Sequence, residues 1–153
     1  MSVESAAIEL LAALGRYQLE IEKCTVDFWL CYDFGDESEA YSFLDLHDSD
    51  EVWQRVGVSK TIRIPVSMDP YLENEIQFRL TLAFSKSGCN VESRISAHLD
   101  ERMGRWEPGS HVLYRKLSEG LSFAAALEIA PRHIEALYYE TPEIPESLGL
   151  SRR

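Results

Sequence analysis

Basic residues are scarce in this sequence and unevenly placed. The chain of 153 residues holds 15 Lys and Arg against 26 Asp and Glu, a formal net charge of −11. Thirteen of the acids and only three of the bases fall in residues 1–56, so this first third carries a net charge of −10. Because nucleic acids and anionic membranes are bound by clustered Lys and Arg, we expect neither as a partner.

Cysteine is also rare. Cys24, Cys31 and Cys89 form no CxxC pair, and an odd count without paired spacing does not fit a disulfide framework or a structural zinc site. We expect three half-buried thiols instead. The sequence does not open with the charged-then-apolar pattern of a signal peptide, and we predict no metal and no cofactor. The expected location is the cytoplasm.

Catalytic motifs are missing as well. The sequence has no GxSxG, HExxH or HxH, and its glycines form neither a P-loop nor a GxGxxG pattern. Its four histidines are far apart along the chain: His47, His98, His111 and His133. We therefore predict no catalytic residue, and the sequence favours a protein that is not an enzyme over a catalytic domain.

Two weak chemical patterns in the sequence oppose this expectation. Asp45, His47 and Asp48 are residue types that bind metals, but no second histidine is near, and every EF-hand register of this stretch fails at a required position. His98 with Asp100 and Glu101 resembles an acid/base group. That order is more typical of a strand end that meets a polar turn.

The length and the 45% apolar share favour one domain with a real hydrophobic core. We predict a single α+β domain over residues 1–140 and a loosely held C-terminal tail over 141–153. The fold class is an antiparallel β-meander of about five to six strands, with an N-terminal helix and C-terminal helices packed on one face.

The first helix can end at two places. Ser2 is a candidate N-cap and Gly15 a candidate C-cap, and Tyr17, Leu19 and Ile21 then alternate with polar residues as in a strand. Alternatively the helix continues, because apolar residues recur at helical spacing as far as Phe28.

Alternation of apolar and polar residues predicts the strands. The pattern appears in 25–34, 40–46, 61–66, 76–84 and 91–99, with the first two joined as a hairpin. The sequence predicts a short helix over residues 48–57, and the pattern of 111–120 is compatible with a helix or a strand. Residues 122–140 are helical, with Ser122 as N-cap and Pro131 expected to kink or split the helix.

The stretch 33–51 holds eight carboxylates and no Lys or Arg. A solvated loop is one interpretation. The other is a docking surface for a basic protein, since aromatic residues lie between acids that otherwise repel one another. The predicted contact residues are Phe34, Asp36, Glu37, Glu39, Tyr41, Asp45, Asp48, Asp50 and Trp53.

An alternative surface follows from the strand alternation. If the apolar positions face the helices, then Arg63, Arg79 and Arg94 share the opposite face of the sheet, which also presents Trp29. A solvated face with cross-strand ion pairs explains this pattern, and so does a recognition surface, where Trp and Arg are common.

These observations lead to two functional hypotheses. The first is a small acidic protein that masks a basic partner by charge and shape. In size, acidity and element order the chain resembles bacterial immunity proteins and the acidic chaperones of secretion systems, although no motif carries the resemblance.

The second hypothesis is a ligand-binding or catalytic domain with a pocket between the sheet and the C-terminal helix. That pocket would be lined by Phe78, Phe84, Trp106, Tyr138 and Tyr139, with Arg79 or His98 as its polar group. A homodimer is compatible with either hypothesis.

Overall fold

The computed structural model describes residues 3–25, 32, 36–46, 54–66, 69 and 71–151. Helix α1 covers Val3–Cys24, α2 covers Phe123–Tyr139 and α3 covers Glu143–Ser147. The strands are β1 (Asp36–Glu37), β2 (Tyr41–Leu46), β3 (Gln54–Pro65), β4 (Glu73–Ser85), β5 (Gly88–Leu99) and β6 (Gly109–Leu121).

All strand pairs of the sheet are antiparallel, and the order along it is β1-β3-β4-β5-β6. Strand β2 pairs with β3 on the same edge as β1, where it occupies the other end of β3. The predicted α+β meander with an N-terminal helix and C-terminal helices is confirmed.

One face of the sheet packs against the helices and forms the core. Alternate residues of β4 and β5 are buried, which is the pattern of strands with one covered face. The residues of this face meet α1 and α2, and the largest buried side chains of the core are Tyr17, Tyr138, Phe78, Ile21, Ile62, Ile76, Leu80, Leu82, Ile95 and Leu99.

Helix α1 follows the longer of its two predicted courses. It continues through Gly15, because Tyr17, Ile21 and Cys24 are buried at helical spacing against the rest of the core. The predicted stop at Gly15 and the strand pattern after it are therefore wrong. The Thr25 hydroxyl donates to the Ile21 carbonyl at 2.7 Å, so the helical geometry extends to the end of the described segment. Ser2 and Phe28 lie outside the described residues.

Strand β3 begins earlier than the sequence indicates. Gln54–Gly57 belong to this strand and not to a helix, because their backbones pair with β4 on one side and with β2 on the other. Residues 48–53 of the predicted helix lie outside the described residues. So does most of the predicted strand 25–34, of which Thr25 ends a helix and Tyr32 is buried.

In the C-terminal third, the strand alternative for 111–120 is confirmed, and one expectation is not met. Residues 111–120 form part of β6, and Pro131 lies inside one continuous helix, α2, which it does not split. The Ser122 side chain accepts a hydrogen bond from the Ala125 amide at 3.2 Å, so the predicted N-cap is confirmed. None of the described helices could span a lipid bilayer.

The last described residues pack against the body of the protein. Ile144 and Leu148 are buried within the core, and the Trp106 indole donates to the Ser147 hydroxyl at 3.0 Å. Gly104 has a φ of +57° and lies against the backbone of 147–149, where a side chain would collide. Residues 141–150 thus contact the body of the protein through Ile144, Ser147 and Leu148.

Candidate functional site: an arginine row on the open face of the sheet

The face of the sheet that points away from the helices is polar and bears a row of arginines. On β4 the residues Gln77, Arg79, Thr81 and Ala83 alternate with the buried apolar ones, and so point to this open face. Cross-strand register then places Arg79 opposite Arg94 of β5, and Arg94 opposite Arg115 of β6. Three guanidinium groups thus lie in neighbouring positions on three adjacent strands, although like charges placed directly opposite destabilise a sheet.

Two carboxylates partly neutralise the row. Asp45 of β2 reaches over β3 and pairs with Arg79 at 3.3 Å. Glu92 is shared, since its two oxygens lie 3.0 Å from Arg94 and 2.7 Å from Arg115. The row therefore contains three positive charges and two negative ones.

Parts of the row remain without a hydrogen-bond acceptor. The Nε atoms of Arg79 and Arg94 are enclosed, and among the described residues neither donates a hydrogen bond. A charged donor in this state is costly, because it has lost water without gaining a partner. The Arg79 and Arg94 side chains are nevertheless 36% and 40% exposed, so an oxyanion above the row would meet the exposed parts of these two side chains.

The Arg79 guanidinium packs against the ring of Phe43. The guanidinium carbon lies 3.9 Å from the centre of the Phe43 ring, within the range of a cation–π contact. The ring fits there because Gly57, directly opposite Phe43 on β3, has no side chain. A Cβ at Gly57 would collide with the Leu80 carbonyl oxygen and would come within 2.8 Å of the ring.

The open face is concave over the arginine row. A depression of about 370 Å³ contains four arginines and three carboxylates, a formal charge of +1 in a chain with a net charge of −11. These charged lining residues are Asp45, Arg55, Arg79, Glu92, Arg94, Arg115 and Glu119. Gln77, Thr81, Asn90 and Ser96 add neutral polar groups.

A second depression of about 280 Å³ adjoins the first and shares Gln77, Arg94 and Ser96 with it. His98 and His111 line this depression, but each has a partner of its own. His98 Nδ1 lies 3.0 Å from the Ser110 hydroxyl, and His111 Nε2 donates to the Glu107 carbonyl at 2.6 Å. The carboxylate of Asp100 accepts from the Glu73 amide instead, so the His98, Asp100 and Glu101 group considered from the sequence does not converge.

A third polar cluster lies on the helix side of the sheet. His133 of α2 is fully buried, with its ring nitrogens 3.3 Å from the Ser93 hydroxyl and 2.9 Å from that of Ser118. Burial, and next the nearby Lys116 ammonium, lower the pKa of His133. A neutral imidazole between two hydroxyls fits a structural role in the core.

The predicted acidic docking residues are only partly described. Phe34, Asp48, Asp50 and Trp53 lie outside the described residues, and Asp36 and Glu37 are seen only as backbone in β1. Of the rest, Glu39 is exposed, Tyr41 is 50% exposed, and Asp45 is engaged by Arg79. The structure thus brings one predicted acidic residue into the arginine row.

Three of the four residues of the alternative surface, Arg63, Arg79 and Arg94, lie within the described part of the chain. Arg79 and Arg94 lie together on the open face, as the alternation predicts. Arg63 shares that face but sits at the end of β3, between Glu73 and Glu75 at 3.4 and 3.5 Å. Trp29 lies outside the described residues. The sequence-based prediction missed Arg115, because its strand was ambiguous and a β-bulge interrupts the alternation just before Tyr114.

The residues named for a pocket between sheet and helix do not form one site. Phe78 and Tyr138 stack in the core with ring centroids 5.2 Å apart, and Phe84 contacts Phe123. Tyr139 is exposed, and Arg79 and His98 lie on the other side of the sheet. Within the described part of the chain, no three His, Cys, Asp or Glu side chains are grouped to hold a metal ion.

Comparison with protein-family models, with curated proteins and with solved structures found no match to this chain. The resemblance to immunity proteins and secretion chaperones therefore stays one of composition and element order. A function has to be inferred from the geometry of the open face.

Proposed function

We propose that this protein is a binding protein rather than an enzyme, and that its ligand lies over the arginine row of the open face. The observation that carries the proposal is the direct pairing of Arg79 with Arg94, each with an enclosed Nε that lacks an acceptor. An arrangement that lowers stability is expected where a ligand relieves the cost. An anion seated between the two guanidinium groups would offset the repulsion between their charges.

The chemistry of the lining points to a small ligand with carboxylate or phosphate groups. Guanidinium groups bind both through paired N–H donors, and the hydroxyl and amide groups of Thr81, Ser96 and Gln77 suit a ligand that also carries hydroxyls. A volume of about 370 Å³ falls within the range of small-molecule sites. The proposed ligand site lies on the opposite face of the sheet from the pocket that the sequence predicts.

Titration calorimetry with three probes tests this proposal: citrate, inorganic phosphate and a nucleoside triphosphate, all at one ionic strength. We expect at least one of them to bind, and Arg94→Gln to weaken that binding by about tenfold or more, as expected for loss of a charged hydrogen-bond donor. Arg63→Gln is the matched control, because Arg63 lies on the same face outside the depression. Absence of binding by every probe, or equal loss in both variants, would refute the site.

A second candidate function is the docking of a basic protein on the acidic stretch 33–51. It is favoured by the position of β2 at the edge of the sheet, where Tyr41 and Leu44 are 50% and 59% exposed beside the exposed Glu39. A basic segment could add to this edge as a further strand, with its lysines near the carboxylates. Masking of a basic partner in the cytoplasm fits the absence of a disulfide at Cys24 and Cys89.

The second candidate is tested with a synthetic strand-forming peptide that carries alternate lysines, at about 50 and 500 mM salt. We expect Glu39→Lys to weaken binding and to reduce its salt dependence. Glu128→Lys is the control, since Glu128 is an exposed acid of α2 far from β2 in the chain. The candidate fails if the two variants bind the peptide equally well.

A further inference from the structure

Helix α1 has two apolar faces, of which the core covers only one. The buried face contains Ala13, Leu14, Tyr17, Ile21 and Cys24. The opposite face carries large apolar side chains that are strongly exposed: Ile8 at 69%, Leu11 at 70% and Leu19 at 70%. A surface helix with one buried face normally presents polar residues on the other, so this second face indicates an interaction surface.

Small residues occupy the middle of the exposed face. Ala12 and Gly15 are both exposed and lie between Ile8 and Leu19 at helical spacing. A Cβ added at Gly15 would meet nothing within 4 Å. The face is therefore high at both ends, with Leu11 along one side, and low at Ala12 and Gly15, where another helix can approach closely.

Four residues along the centre of this face, Ile8, Ala12, Gly15 and Leu19, have the same order of sizes in both directions. From Ile8 the sequence of large, small, small and large side chains ends at Leu19, with its midpoint between residues 13 and 14. Beyond the apolar residues, Glu4 lies one turn before Ile8 and Lys23 one turn after Leu19, and both are exposed. Such a pattern is self-complementary under a two-fold axis.

We propose that α1 packs antiparallel against α1 of a second copy of this chain. In this arrangement Ile8 faces Leu19 of the other copy and Ala12 faces its Gly15. Glu4 then faces Lys23 of the other copy, so opposite charges meet at both ends of the contact. The second copy fits better than an unrelated partner, because size and charge match at these three pairs when the face is turned upon itself. Leu11 then lies at the level of the exposed Arg16 of the other copy, whose aliphatic stem can cover it.

The neighbouring strand extends the same surface. Gln18 hydrogen-bonds Ser42, and Glu22 accepts from the Ala40 amide at 2.8 Å, so β2 runs antiparallel to α1 along its flank. Leu44 follows on the same side of β2 as Ser42, beside the N-terminal half of the helix, and is 59% exposed. In the dimer this leucine would be covered along with the helix face.

Sedimentation equilibrium from about 1 to 200 µM protein tests the dimer, since a contact made by one helix and one strand per copy is at the small end of specific interfaces. We expect a monomer–dimer equilibrium in the wild type and a dissociation constant at least 30-fold higher for Leu19→Glu. Val112→Glu is the control, an exposed apolar residue on β6 that we expect to leave the equilibrium unchanged. A monomeric wild type over this range, or a dimer that Leu19→Glu does not weaken, overturns the proposal.

Charge exchange tests the antiparallel register. Glu4→Lys places two lysines together at each end, and Lys23→Glu places two glutamates together, so each variant should dimerise more weakly than the wild type. The double variant restores opposite charges and should recover most of the affinity. If the double variant is as weak as the sum of the single ones, the proposed register is wrong. The outcome is independent of the arginine row, which lies on the other face of the sheet.

Discussion

The hydroxyl of Tyr17 donates a hydrogen bond of 2.7 Å to the backbone carbonyl of Leu127. In an α-helix that carbonyl accepts from the amide four residues later, and the residue there is Pro131, which has no N–H. Burial raises the pKa of Tyr17 to about 12, which keeps the phenol protonated as a donor. Tyr17 of α1 therefore satisfies the carbonyl that the proline leaves open, and α2 remains one helix.

This relationship predicts coupling between Tyr17 and Pro131. Tyr17→Phe leaves the Leu127 carbonyl without a donor and should lower the free energy of unfolding by about 1–3 kcal/mol. In a Pro131→Ala background the alanine amide supplies a donor, so the same substitution should cost about 1 kcal/mol less. Urea unfolding of the four proteins measures both effects. Equal costs of Tyr17→Phe in the two backgrounds would show that the hydroxyl does not compensate for the proline.

Features set by local alternation were predictable from the sequence, and features set by distant partners were not. The five alternating apolar residues of β4 and the N-cap at Ser122 required only neighbouring residues. The continuity of α2 at Pro131 depends on Tyr17, more than a hundred residues away. Likewise, Gly15 is a local stop signal that the burial of Tyr17 and Ile21 overrides.

In the candidate site too, features set by neighbouring residues were predictable and features set by distant partners were not. Alternation alone placed Arg79 and Arg94 on one face, because the period of a strand is two residues. Which residues lie opposite one another depends on strand register, and this fixes the pairing of Arg94 with Arg115 and the arrival of Asp45 beside Arg79. Neither relationship has a signal within a single strand.

The burial of His133 predicts a loss of stability in mild acid. Its pKa is lowered in the folded protein, so between that value and the unfolded value of about 6.5 the unfolded chain binds more protons. The contribution of the neutral His133 to the free energy of unfolding should therefore be fully present above about pH 6.5 and should be lost as the pH falls below that value. Glu140, whose pKa is lowered by hydrogen bonds from Tyr114 and Lys116, contributes only at more acidic pH.

Urea unfolding between about pH 5 and pH 7.5 checks this prediction. The wild type should lose stability over this range, and His133→Gln should show a flatter profile from a lower starting value. His111→Gln serves as the control, because its ring lies at the surface depression with a backbone partner. Parallel profiles for the wild type and His133→Gln would contradict the assignment.

Shared use of Glu92 predicts that this carboxylate stabilises the arginine row more than an ordinary surface acid would. Glu92→Gln removes the partner of both Arg94 and Arg115, and should lower the free energy of unfolding by about 1 kcal/mol, an amount discounted for the exposure of the arginines. Glu73→Gln breaks only the exposed pair with Arg63 and should cost about 0–0.5 kcal/mol. Thermal unfolding of both variants at low and high salt separates the effects. Equal stability of the two variants would show that the row does not depend on Glu92.

Two Gly→Ala substitutions should change the stability of the protein in opposite directions, because Gly57 is tightly enclosed beside Phe43 and Gly15 is not. At Gly57 the new methyl group would meet the Leu80 carbonyl oxygen and the Phe43 ring, so β3 or β4 has to shift, and the free energy of unfolding should fall by about 2 kcal/mol or more. At Gly15 the methyl group meets nothing, and the gain in helix propensity should raise stability by about 0.5–1 kcal/mol in dilute protein. Gly57→Ala should also displace Phe43 from Arg79, which an anion titration of that variant would register as weaker binding. A neutral Gly57→Ala would mean that the strands can separate at this point, and that Phe43 does not fix the position of Arg79.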